Sequence, residues 1–214
     1  MSISSAPAGP LRRVLTADSG PQPASPIRVQ LRQATAALHE EIEQKLDLTG
    51  LSMDRYLLLL QAFYGFHAPV EARIASCAPV SGFAWPARAA LLERDLLAAG
   101  SSPSAVAQLP RCADLPALTS TGDRAGCLYV LEGACLGGQF IARGLEQRFG
   151  LGLETGAAFF IGEGAGTAAR WSQVMAWIDG LARDGTPPAE IVDSACATFR
   201  ALLRWSQARG AARA

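Results

Sequence analysis

GCLYVLEGACLGGQFIARGLEQRFG, residues 126–150, carries apolar side chains at helical spacing yet holds Gly133, Gly137 and Gly138 in its interior. Each glycine inside a helix costs about 1 kcal/mol relative to alanine, so the cluster calls for a packing or functional reason. Gly133 and Gly137 are four apart and share a face, which would let a flat ligand lie directly against the backbone, and Gly138 would add flexibility at the same place. Close helix packing explains the same pattern, since Ala134 and Ala142 continue the small surface. The segment alone leaves these two readings level.

Outward from this stretch, the chain keeps the same character. Long apolar-periodic segments alternate with obvious breakers, and no run of alternating β-branched residues calls for a strand. The expectation is an all-α, multi-helical single domain over 27–210, with helices near 28–47, 53–77, 84–99, 119–149, 165–183 and 188–208. Gly50, PVSG at 79–82, GSSPS at 100–104 and DGTPP at 184–188 punctuate them. Ser52 is the expected N-cap of the second helix, with Asp54 in its first turn, and Pro69 predicts a bend near Phe66. Residues 1–26 are rich in Pro, Ser, Ala and Gly and read as a disordered extension.

Composition excludes several classes. Acidic and basic residues balance at 19 each, so nothing marks a nucleic-acid backbone or an anionic membrane as partner. The five cysteines are odd in number and lack CxxC or Cys/His spacing, which argues against a disulfide framework and a structural zinc site. No segment approaches the roughly 20 uninterrupted apolar residues of a membrane span, and no signal-peptide core precedes the helices. A cytoplasmic protein is the expectation.

Imidazole chemistry is confined to His39 and His67. In LRQATAALHEEIEQ, residues 31–44, Arg32 lies seven positions before His39 and Glu43 four after, so one helix face offers a cation, an imidazole and a carboxylate in line. Haem would use each of them: imidazole on iron, the carboxylate orienting the other ring nitrogen, and guanidinium on a propionate. From spacing alone, a half-buried histidine between solvated charges is the commoner explanation. His67 beside Pro69 reads as structural. Cys135, with no base identifiable beside it, reads as packing.

Taken together, LRQATAALH with Glu43, QAFYGFHAPVE at 61–71 and LYVLEGACLGGQ at 128–139 occur in an order that resembles the haem oxygenase family, especially the bacterial enzymes associated with phytochromes. The resemblance covers roughly 28–208 and implies a haem oxygenase-like helical fold. It implies that His39 is the proximal iron ligand, Arg32 a propionate-binding base and Glu43 the carboxylate one turn beyond the ligand. Gly133 and Gly137 become the catalytic backbone of the distal helix over haem, with Gly138 beside them. Tyr129 and Arg170 are further candidates for propionate or pocket-water contacts.

The activity so implied is cleavage of haem, both substrate and cofactor, by O2 to biliverdin, carbon monoxide and ferrous iron. Electrons would come from an external reductase or ferredoxin, because the chain has no GxGxxG fingerprint following a strand. A bacteriophytochrome receiving biliverdin is implied by the subgroup resemblance only. One departure stands out: the family often has Asp after the first distal glycine, supporting a water network for proton delivery, and here that residue is Ala134. Two alternatives follow. One is a haem-binding or delivery protein without oxygenase activity. The other is a haem-independent hydrolase of the thiaminase type using Cys135, which would leave the histidine segment unexplained.

Overall fold

The computed structural model describes residues 25–48, 50–77 and 83–212. They form eight α-helices: α1 (Pro26–Leu46), α2 (Met53–Ala75), α3 (Arg88–Ala98), α4 (Pro103–Ala107), α5 (Thr121–Phe149), α6 (Ala158–Ile161), α7 (Thr167–Arg183) and α8 (Pro188–Ala208). There is no strand among the described residues. The all-α expectation holds.

Helix starts follow local chemistry. Ser25 caps α1 by accepting from the Arg28 N–H, and Pro26 occupies the first turn. Ser25 also donates to Asp179 on α7, which ties the start of α1 to that helix. Of the expected extension, residues 1–24 lie outside the described residues, as does PVSG at 79–82. Ser52 caps α2 as expected, with Asp54 in its first turn. Ser120 and Asp123 form a reciprocal capping box that starts α5, and Gly150, at φ 67°, ends it in the left-handed conformation.

Three segments differ from expectation. α3 starts at Arg88 rather than near 84, because Trp85 precedes Pro86 and is pushed away from helical geometry. Its first turn is closed by Glu71 of α2, whose Oε1 accepts from the Ala89 N–H at 2.8 Å. GSSPS, read as a breaker, instead contains the cap and first residues of α4, with Ser102 accepting from the Ala105 N–H at 3.1 Å. The four-residue α6 carried too little periodicity to be read at all.

α5 is the central element, buried along most of its length and packed against α6, α7 and α8, while α1 lies on α8 and α2 on α3. Gly126 is where α5 and α8 meet closely: a Cβ there would lie 2.3 Å from the Ile191 carbonyl oxygen. α2 runs unbroken through Pro69. The proline cannot donate to the Gly65 carbonyl four residues earlier, and that oxygen accepts from the Cys112 N–H at 2.8 Å instead. Among the described residues one helix, α5, is long and apolar enough to cross a membrane, but 83% of its most apolar stretch is buried in the fold, which marks it as a core helix.

Candidate functional site

A cavity of about 720 Å³, its open mouth included, lies between α1 and α5. On the α1 side it is lined by His39, Ile42, Glu43 and Leu46, the i, i+3, i+4, i+7 stripe of one helical face. On the α5 side stand Tyr129, Val130, Gly133 and Ala134. Phe63, Phe159 and Phe160 close the floor, and Phe199 with Leu202 of α8 close the remaining side. The wall is almost wholly apolar, and a flat apolar ligand with one coordinating atom suits it.

His39 presents a half-buried imidazole to this space, edge-on to Phe199 with ring centroids 5.9 Å apart. Its Nδ1 is 3.6 Å from Glu43 Oε1, with both side chains less than a fifth exposed. That separation is too long for a hydrogen bond, but it places a carboxylate on the Nδ1 side of the ring. His67 is elsewhere. It is buried behind the floor, 5.3 Å from the Phe159 ring, and burial, with help from the Arg88 charge, pushes its pKa down to about 3. It is a neutral core imidazole.

The other expected residues separate into two groups. Tyr129 reaches the cavity and also the Thr35 hydroxyl, with Arg32 close enough to act on its electrostatics; burial raises the pKa of its phenol. Arg32 is exposed and outside the lining. Gly137 is buried one turn beyond Gly133 and is also outside the lining. Gly138 faces α6: a Cβ there would lie 2.9 Å from the Phe160 carbonyl oxygen, so this glycine lets the aromatic floor press against α5. Arg170 turns away from the cavity, with Nε 3.2 Å from Glu132, its terminal nitrogen donating to the Ala84 carbonyl at 2.8 Å, and its guanidinium 4.3 Å over the Phe83 ring.

Sequence reasoning missed the floor and what holds it. Asp95 of α3, fully buried, accepts from the N–H groups of Ala158 at 2.7 Å and Phe159 at 2.8 Å, capping the short helix that carries both phenylalanines. Tyr56 donates to the Gly156 carbonyl at 2.5 Å and fixes the turn before it. Glu132, directly before Gly133, is buried against Arg88. A glutamate inside an apolar helical run was the available signal for that pair.

The comparisons with known proteins bear directly on this arrangement. The Heme oxygenase family model matches residues 25–208, which takes in every described helix. The chain belongs to the haem oxygenase family. No curated protein and no solved structure matches it. The helical architecture is that of the haem oxygenase fold. The cavity fits haem: its apolar faces suit the porphyrin, His39 is the one imidazole on the wall, and Gly133 puts bare backbone where a side chain would fill the space.

Proposed function

We propose that the protein is a haem oxygenase that opens haem to biliverdin, carbon monoxide and ferrous iron, using O2 and electrons from a separate reductase or ferredoxin. The observation that carries this reading is one apolar cavity with His39 and Glu43 on one wall and the Gly133–Ala134 backbone on another. In this reading His39 would hold the iron through Nε2, and Glu43, on the Nδ1 side, would orient the ring. Bound haem supplies the redox chemistry, so the chain's task is to position, exclude water and pass protons.

Each wall has its part. The phenylalanine floor keeps bulk water out. Gly133 on the wall, with Gly137 buried one turn beyond it, would hold the distal helix low and leave room for a diatomic molecule. Arg32 and Tyr129, near each other at the α1 edge, would meet a propionate, while Arg170 is held by Glu132, Ala84 and Phe83. Gly138 serves through the close approach of Phe160. Ala134 offers no carboxylate, so ordered water held by the Gly133 carbonyl would pass protons, a water bridge being nearly as favourable as a direct hydrogen bond. The biliverdin would suit a bacteriophytochrome.

Ala134 also motivates a second reading, a haem carrier that binds and delivers without ring opening. A thiaminase-type hydrolase is poorly supported, because Cys135 does not line the cavity and burial pushes its thiol up to about 12, far from a thiolate nucleophile. Haemin reconstitution, followed by reduction under O2, separates these readings. Biliverdin absorbance that disappears in His39→Ala is expected; persistent oxygenated haem without ring opening would favour the carrier, and no haem binding would end both.

A further inference from the structure

α3 gives no residue to the cavity wall, yet one buried face of it holds both structures opposite His39. Arg88 and Asp95 are seven residues apart and project from that face. Asp95 takes two N–H groups of α6 and so fixes the floor. Arg88 grips Glu132 of α5 bidentately, Nε to Oε1 at 2.9 Å and a terminal nitrogen to Oε2 at 3.0 Å. The same terminal nitrogen reaches Glu163 at 3.1 Å, and Arg170 of α7 adds a further bond to Glu132 Oε2 at 3.2 Å. The Glu132 side chain is 1% exposed.

A buried carboxylate clamped by two guanidinium groups is an expensive way to stabilise a helix, since an apolar residue of similar volume often serves as well or better. What the clamp supplies is directional fixing. It sits where it is most needed, because the residue after Glu132 is Gly133, which leaves α5 without a side chain on the cavity wall. A two-pronged Arg–carboxylate contact sets the rotation of the helix as well as its distance.

We propose that Glu132 is a positioning residue, which through Arg88 and Arg170 sets the rotation and height of the Gly133–Ala134 backbone over the cavity and thereby couples O2 reduction to ring opening. The proposal rests on the haem oxygenase reading. When the backbone is misplaced, two electrons from the external donor and two protons reduce O2 to hydrogen peroxide, which leaves, and the haem stays intact. Glu132 touches neither haem nor O2 and acts only through the segment that follows it.

The test uses the full-length chain in two states. Without haem, amide hydrogen exchange in Glu132→Gln and in the milder Arg170→Gln should accelerate about tenfold or more at residues 130–138 while residues 35–46 of α1 keep their wild-type rates. With haem, both variants should retain the wild-type resting spectrum and release about fivefold more peroxide per haem consumed; Arg88→Lys combined with Glu132→Gln should add little to Glu132→Gln alone, since both disable one contact. Unchanged exchange at 130–138, acceleration spread evenly over the chain, or wild-type peroxide yield in folded variants would overturn the proposal. Failure of the wild-type chain to open haem would defeat the functional reading instead, and would leave the exchange result to stand or fall by itself.

Discussion

The two walls that face each other across the cavity are built on opposite principles. α1 brings chemistry on side chains, with His39 and Glu43 on an accessible stripe and a loose 3.6 Å contact between them. α5 and α6 bring position: bare backbone at Gly133 and the close approach at Gly138, held by buried Glu132 of α5 and Asp95 of α3, neither of which reaches the cavity. A ligating side chain tolerates small adjustments about its own torsions. A wall made of backbone has no such freedom and must be fixed from behind, which explains why the costly interactions collect on the distal side.

The largest expected contrast follows directly. Asp95→Ala strands two N–H groups at a buried helix start and should lower unfolding free energy by about 3 kcal/mol, taken from the usual cost of an unsatisfied buried group. His39→Ala, on the open cavity wall where no buried N–H depends on the ring, should stay within about 1 kcal/mol of wild type. Urea unfolding of both variants measures the difference; equal losses would break the comparison.

A finer test uses two titratable groups behind the floor. Burial holds His67 neutral down to about 3, against 6.5 in the unfolded chain. The unfolded chain therefore takes up the proton first, and this contribution to stability is full above 6.5 and lost as pH falls from 6.5 to 3. Burial also raises Glu71 to about 7 from 4.5, so the folded state keeps that proton longer, and its contribution is full below 4.5 and lost as pH rises to 7. The slopes oppose each other where they overlap. Thermal melts should show stability rising with pH across 3–6.5 in Glu71→Gln and falling across 4.5–7 in His67→Gln; slopes of the same sign would refute the assignment.

The smallest effect separates two glycines of α5. Gly138→Ala would crowd the Phe160 carbonyl and should destabilise by about 1 kcal/mol or more. At Gly144 an added Cβ meets nothing within 4 Å, and Gly144→Ala should stabilise by about 0.5–1 kcal/mol through helix propensity. Calorimetry on the pair tests whether the distal glycine is there for contact.

The same division decides what the sequence could tell. His39 and Glu43 were legible because residue type and helical spacing carry their chemistry, and Gly133 because a glycine in a helix is conspicuous. For the cluster as a whole, packing and ligand approach were left level, and the glycines divide: Gly133 lines the cavity while Gly138 packs against Phe160. Arg170 looked available because a lone arginine on a helix gives no hint of a buried partner 38 residues away. Asp95 and the phenylalanines of α6 were invisible because the helix they build is four residues long and its cap comes from another helix.

The central claim is that iron sits on the α1 wall through His39, and vibrational spectroscopy of the haem-loaded chain tests it most directly. Resonance Raman of the ferrous protein should show an iron–histidine stretch that vanishes in His39→Ala and is replaced by an iron–imidazole stretch when imidazole is added. An iron–histidine stretch that survives in His39→Ala would contradict the account.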